Sequence, residues 1–583
     1  MVLSGHPPPM TTPPRLPCVR ALLFVSALLS VRGAAAQPQA EGPTVALPEF
    51  TITENADLPK LEAWSFARAG GFDVLSNAPA ADTRRLLAEF QKFQQAVRLV
   101  WPMPVKPLAA SSLILCGRDN KFDAFRPADT PKGDAIVPSL FLRNREQIAL
   151  IVDLQTEQVT LNDATTLALT GASSVDYQVD HYRQLYREYV LYLLSQGTSR
   201  PPAWLEEGLA QIVMDIDLSD RTLIYGKVET DKGGATGGSP LEAAEDDATT
   251  ASATVGEMPF NVVFQTRKFM PLGAFFAIGH DAPEARTPLG NNLWAKQAYA
   301  FVHFCLFGED LRHKEALVTL VNRLAREPLT EALFKECFKT DYRGMEKQLR
   351  GYVLHTRHKY QKYDLKDTDR LAPDSIELAD ATPAQVGVLK GDALRLAGHP
   401  QAAYTEYRDA YRRGSRDPAV LAGIGALDSD PARARKFTDA AAKAGVSRPS
   451  VYVAQARLRL DEFRADPGPD GKLTGNQLAL VLSPLFKARN LPPPLPETYA
   501  TIAEAWALSS VAPKPEHLAV LDEGVRQFPR ESALLYRVAD LYRQAGAAPT
   551  ATAIAQLGRR FAATPEDQTR FEQLLRQLPP PTK

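Results

Sequence analysis

Two carboxylates on successive helical stretches are the groups of this chain best placed by type and spacing to do chemistry. Glu188 lies in Arg187-Glu188-Tyr189-Val190-Leu191, and Glu207 lies in Trp204-Leu205-Glu206-Glu207-Gly208. A carboxylate on one helix can activate water, and a second on the next can complete a zinc site, provided neutral imidazoles one helical turn apart hold the metal. The positions that would carry those imidazoles, on either side of Glu188, are Arg187 and Leu191. Arginine is a permanent cation that repels a dication, and leucine has no donor atom. No metal is expected there, and nothing elsewhere calls for a cofactor. His181 does not repair the set: six residues before Arg187, it would stand ~9 Å away along the axis. Arg187 offers charge instead. Between Glu188 and Glu207 its guanidinium would neutralise carboxylates that are costly to bury. The alternative is a solvated helix face, where an Arg-Glu pair contributes little.

The elements that must position these groups are legible from periodicity. Phe72 to Ser76 alternates like a strand, residues 81 to 99 carry helical spacing, Ser112 to Cys116 reads as a second strand, and Phe141-Leu142 with Ile148 to Leu154 suggests a hairpin. This first portion is α+β. From Asp180 the period changes: Tyr182, Leu185, Tyr186, Tyr189, Val190, Leu193 and Leu194 lay one apolar stripe along a helix. Gly197 and Pro201-Pro202 end it, and Trp204, Leu205, Gly208, Leu209, Ile212 and Val213 repeat the spacing on the next helix. Helices resume near Phe275 and continue to about Leu354. The segment 227–259 lacks periodicity and reads as a surface insertion. Residues 359–383 are charged, without an apolar repeat, and read as a linker.

Beyond the linker the pattern is almost purely helical. Gly391, Leu394, Gly398, Ala403, Tyr407 and Ala410 match the small and aromatic positions of a tetratricopeptide (TPR) unit, and Ala539, Tyr542, Gly546, Ala551, Ala555 and Gly558 fall in the same register. Isolated repeats cannot bury their faces, so residues 448 to 530 would have to supply degenerate units between them. A non-repetitive helical bundle is the alternative.

From about Phe72 to Tyr352 the chain resembles secreted bacterial gluzincin-like proteins of the peptidase MA-like type, which are frequently joined to TPR helices. The most specific stretch, Pro202-Ala203-Trp204-Leu205-Glu206-Glu207-Gly208-Leu209-Ala210, is similar to that family's Pro-x-Trp-x-x-Glu-Gly-x-Ala segment, in which the Glu before Gly is the third zinc ligand. Leu293 to Phe304 is similar to the helix that backs the site, and Ala332 to Tyr352 to a closing helical segment. The resemblance implies that Glu207 holds the third-ligand place and Glu188 the general-base place of a degenerate His-Glu-x-x-His motif, with Arg187 and Leu191 replacing the histidines. With Trp204, these residues would form a remnant cleft. Two lost ligands imply a pseudoenzyme. The enzymatic alternative is an active zinc peptidase with an unorthodox ligand set, such as Glu188, Glu207 and His303.

Composition bounds the rest. The 583 residues exceed one hydrophobic core, 45% hydrophobic and 23% charged residues are ordinary for a globular protein, and a formal net charge of -1 gives no electrostatic case for nucleic acid. Arg15 and Arg20 precede an apolar run from Ala21 to Val31 and the small residues Ala34-Ala35-Ala36, which reads as a secretory signal over 1–36. No later run is long enough to span a bilayer. Cys18 lies in that signal. Cys116, Cys305 and Cys337 read as buried apolar residues or as one bridge and a spare thiol. His355 and His358 read as helix surface. Asp466, Asp470, Gly471 and Gln477 echo a calcium loop but read as a turn, since Gly468 stands where a ligand is needed.

The organisation expected is therefore a signal peptide (1–36), an extended lead-in (37–60), an α+β part (61–170), a helical gluzincin-like module (171–358), the linker (359–383) and TPR-like repeats (384–583). The fold class is mainly α with an α+β N-terminal portion, a zincin-like helical module followed by an α-solenoid. The expected function is binding of peptide or protein partners, through the remnant cleft and the TPR-like surface, by a periplasmic or extracellular protein without a membrane span. A third possibility is a structural adaptor in which only the repeats have a partner.

Overall fold

The computed structural model describes residues 62–100, 109–129, 138–161, 175–196, 200–219, 221–228, 259–286, 292–308, 311–324, 327–354, 358–366, 371–468, 470–562 and 564–579. The signal and lead-in, most of the 227–259 insertion and His355 lie outside them. The segment Leu47–Lys583 forms one compact unit.

The N-terminal part is built from strands β1 (Ser65–Ala69), β2 (Phe72–Ser76), β3 (Ala110–Cys116), β4 (Ser139–Arg143), β5 (Gln147–Asp153), β6 (Gln158–Leu161), β7 (Val175–Gln178), β8 (Asp217–Leu218) and β9 (Thr222–Tyr225). Among them run helices α1 (Ala80–Val100), α2 (His181–Leu194), α3 (Ala203–Met214), α4 (Phe260–Thr266), α5 (Leu272–Ala277), α6 (Leu293–Phe307), α7 (Leu311–Leu324), α8 (Glu331–Phe338) and α9 (Tyr342–Val353). Within the stretch read as a linker, β10 (Gln361–Asp364) and β11 (Ala379–Asp380) are strands: β10 pairs with β9, and β11 with β1.

The principal sheet has the order β11-β1-β2-β3-β5-β4, parallel across β2, β3 and β5, with β4 antiparallel at one edge. Its central strands are apolar on both faces because both are covered. Val74, Leu113, Leu115, Leu150 and Val152 pack with α1 and α2, whereas Leu75, Ile114, Cys116 and Ile151 belong to the core that continues into the C-terminal helices.

Those helices form pairs: α10 (Pro383–Leu396) with α11 (Pro400–Arg412), α12 (Pro418–Leu427) with α13 (Pro431–Lys443), α14 (Pro449–Ala465) with α15 (Gly475–Arg489), α16 (Pro496–Ala507) with α17 (Pro515–Gln527), and α18 (Ser532–Gln544) with α19 (Ala548–Phe561), followed by α20 (Pro565–Arg576). This is an α-solenoid of TPR-like arrangement, and residues 448 to 530 do supply paired helices. Small residues set the crossings. A Cβ on Gly391 or on Gly423 would stand 2.6 Å from the Tyr407 ring, so that ring fills the space between the first helices of two successive pairs. Gly398 and Gly546, at φ +83 and +76, end α10 and α18 in the left-handed conformation that L side chains resist. The following amides close on Leu394 O and Tyr542 O at 2.9 Å in both units.

The solenoid is built onto the sheet. Val386, Leu389 and Ala393 of α10 share a core with Leu75, Ile114 and Ile151. It also closes around the β4–β5 turn: Arg395 of α10 donates to Gln147, the backbone amide of Ser450 in α14 donates to Glu146 at 2.6 Å, and Arg145 pairs with Glu531 at the start of α18. The first helices of pairs one, three and five thus converge on a single short turn, which requires the array to curve about it. The Asp466 to Gln477 segment is a capped turn, with Thr474 and Gln477 forming the capping box of α15.

Candidate functional site

The charged centre forms where α2 meets α3 and the edge strand β4. Asp180 caps α2, accepting from the amides of Tyr182 and Arg183, and the apolar stripe of the helix turns Tyr186, Tyr189, Val190 and Leu193 into the core. α3 is pressed against α6 by Gly208. A Cβ there would stand 2.5 Å from Val302 Cγ2 and 2.6 Å from Ala298 O, so the close helix contact itself demands glycine after Glu207. Trp204 anchors the same helix, its ring centroid 5.2 Å from that of Phe276 and 5.5 Å from that of Phe301.

Arg187, Glu188 and Glu207 are all buried, with 8%, 4% and 5% of their surface exposed. Arg187 Nη2 donates to Glu207 Oε2 at 2.7 Å, and Nη1 lies 3.4 Å from Glu188 Oε1. Ser139 on β4 donates to Glu188 Oε1 at 2.9 Å, and Gln211, one turn beyond Glu207, donates to Glu207 Oε1 at 2.8 Å. Leu191 packs at the margin of the same core. Burial alone would weaken the hold of Arg187 on its proton, but the two carboxylates outweigh it and strengthen that hold. One cation faces two acids, and burial pushes Glu188 above the usual carboxylate range against the pull of Arg187.

The sign of that shift gives a testable pH dependence. Because the folded form binds the Glu188 proton more tightly, its contribution to stability is full below the ordinary value of 4.5 and is lost as pH rises toward the raised folded value. Each pH unit within that window changes stability by about 1.4 kcal/mol. Glu188→Gln should therefore match wild type near pH 4 and become relatively more stable toward neutrality in denaturant titrations. Parallel pH profiles for the two proteins would contradict the raised value.

Zinc does not fit the residues present. Arg187 is a permanent cation, Leu191 a hydrocarbon without a donor atom, and Glu207 has both oxygens engaged. Among the described residues no group of three or more His, Cys, Asp or Glu side chains could hold a metal ion. His303 is fully buried, with Nδ1 2.8 Å from Tyr352 Oη and Nε2 2.7 Å from Gly226 O. The carbonyl can only accept, so Nε2 carries the proton and Nδ1 accepts from the tyrosine. Burial holds His303 down at about 3. In the unfolded chain it protonates near 6.5. The stability contributed by His303 should be lost as pH falls from 6.5 toward 3, by about 1.4 kcal/mol per unit, and this component of the slope should be absent from His303→Gln.

Other residues missed by the sequence reading complete the surroundings. Arg200 donates from Nε to Glu206 Oε1 at 2.8 Å and from Nη2 to Oε2 at 2.7 Å, and His280 Nε2 lies 3.1 Å from Glu206 Oε2. Burial raises the Glu206 carboxyl, but His280 and Arg200 together outweigh it and hold the group below its usual range. The spacing of Arg200 to Glu206 across Pro201-Pro202 was a readable signal. Ser139 was not, since 49 residues separate it from Glu188. Cys116 and Cys305 are buried free thiols, Cys337 is a partly buried free thiol, and His358 is buried, not on the helix surface expected for it.

No protein-family model matches the chain, and no curated protein matches it. Among solved structures, a thermophilic TPR protein in Thermus thermophilus is similar over 33% of this chain and 98% of its own length, at 17% identity and a TM-score of 0.26. The repeat architecture rests on the helix pairs themselves. No helix among the described residues is long and apolar enough to cross a membrane.

Proposed function

We propose that this chain is an exported binding protein: a gluzincin-like module that has lost its hydrolytic chemistry, built onto a TPR-like solenoid, recognising peptide or protein partners in the cell envelope. The observation that carries this reading is the Arg187 guanidinium, 2.7 Å from Glu207 and 3.4 Å from Glu188. A fixed internal cation there supplies the charge neutralisation a metal would, yet it cannot lower the pKa of a bound water or polarise a carbonyl as a Lewis acid. The helix pair keeps its packing while water activation is lost. Export is inferred from the basic and apolar pattern at 1–36.

Metal analysis tests the reading. The purified chain, dialysed after exposure to zinc, should retain far less than one equivalent and show no chelator-sensitive cleavage of casein. Arg187→His with Leu191→His, which restores two imidazoles one turn apart beside Glu207, should gain about one equivalent. Stoichiometric zinc in the unaltered chain would overturn the proposal.

A further inference from the structure

A cavity of about 910 Å³ opens between the N-terminal module and the solenoid. It lies at the C-terminal end of α2 and the first turn of α3, lined by Ser195 and Pro202 and not by Arg187, Glu188 or Glu207. Its wall carries four arginines from three segments, Arg143 and Arg145 of the β4–β5 hairpin, Arg200 and Arg530, together with His280. The acids at hand are already engaged: Glu531 by Arg145, and Glu206 by Arg200 and His280.

Two of the arginines have no acid of their own. Among the described residues Arg143 has no carboxylate within ion-pair distance, and its Nη1 is buried without a hydrogen-bond partner. Arg530 donates to the backbone carbonyls of Leu324 and Glu327, and its guanidinium lies 4.9 Å from the Phe561 ring centroid. Both lose proton affinity through burial, and Arg143 is further pressed by the like charges of Arg200 and Arg145, which Glu206 offsets only in part. Arg143 stands among like charges with a buried donor unmet, and the exposed Arg530 faces the same cavity, an arrangement that an external anion would complete. The remaining wall mixes apolar side chains, Phe276 and Phe528 among them, with the polar Asn144, Gln196 and Asn322. Trp204 is fully buried, and its indole N–H has no acceptor.

We propose that this cavity is a binding site for an anionic amphiphile: a carboxylate or phosphate group held by Arg143 and Arg530, attached to an apolar or aromatic body packed against Phe276 and Phe528. Planar guanidinium groups match both oxyanions, and the volume falls in the range of small-ligand pockets, about 300–1,000 Å³. The site is separate from the Arg187 centre and holds whichever way the metal question is answered.

The probe is 1-anilinonaphthalene-8-sulfonate, an oxyanion on an aromatic body, titrated by fluorescence into the full chain. One saturable site is expected. Arg143→Gln and Arg530→Gln should each weaken binding about tenfold, as loss of a charge-assisted contact does, while the uncharged N-phenyl-1-naphthylamine binds wild type and variants alike. Arg143→Gln should also hold or raise the Tm, because it removes repulsion with Arg200, a result that separates ligand binding from structural support. Displacement by phenyl phosphate or by 3-phenylpropanoate supports the site and tells the two oxyanions apart. Displacement by neither, or unchanged affinity in both folded variants, overturns it.

Discussion

Arg187→Ala is expected to lower the unfolding free energy by about 3–5 kcal/mol, the usual cost of leaving a buried charge without its partner. Two carboxylates depend on this guanidinium, and both are almost fully shielded from solvent. Ser139 and Gln211 donate one hydrogen bond each to them, and neutral donors cannot cancel charge at that depth. Removing all three charges together with Arg187→Met, Glu188→Gln and Glu207→Gln should recover most of the loss, since buried ion pairs are weak sources of net stability. Chemical denaturation of the single and triple variants decides the point. A single variant within about 1 kcal/mol of wild type, the range of an exposed pair, would mean that Arg187 is not the internal counter-ion.

Separating the chain after residue 376 should unfold the N-terminal module. That cut removes β11, which pairs with β1, and α10, whose Val386, Leu389 and Ala393 share a core with the sheet. Leu75, Ile114 and Ile151, none of them exposed in the whole chain, would then face water. Exposing three such side chains forfeits roughly 5–9 kcal/mol, comparable with the whole stability of an ordinary domain. The fragment ending at 376 should show weak near-ultraviolet circular dichroism and no cooperative thermal transition, while the intact chain melts as one unit. A cooperative, monomeric fragment would mean that the solenoid docks on a finished module. The result also bears on an adaptor role for the repeats alone, because α10 is partly the sheet's own cover.

Local pattern made much of the architecture readable. Period-2 alternation marked β2, the short apolar run to Cys116 marked β3, the polar run Arg143 to Glu146 between apolar stretches marked the β4–β5 hairpin, period-3.6 stripes marked α2 and α3, and small and aromatic positions marked the outer repeats. The middle pairs α14–α15 and α16–α17 were harder because their crossings do not repeat the small-residue register of the first and last units. At Gly524 the crossing partner is Tyr499, with a Cβ–Cγ approach of 2.6 Å. β10 and β11 escaped for a related reason: both are short and exposed edge pairings, and neither carries an apolar alternation.

What the sequence by itself determined is the chemistry open to the α2–α3 centre: at 187, 188, 191 and 207 it supplies one cation, two acids and a hydrocarbon, and side-chain type sets donor capacity before any fold forms. The tertiary structure alone decided that Ser139 reaches Glu188, that one hairpin turn is gripped by three separated repeats, and that Arg143, Arg200 and Arg530 share one cavity wall. Periodicity reports which face of an element is apolar, over a window of a few turns. Which faces meet across hundreds of residues is settled by the packing of the whole core, and that leaves no local mark in the chain.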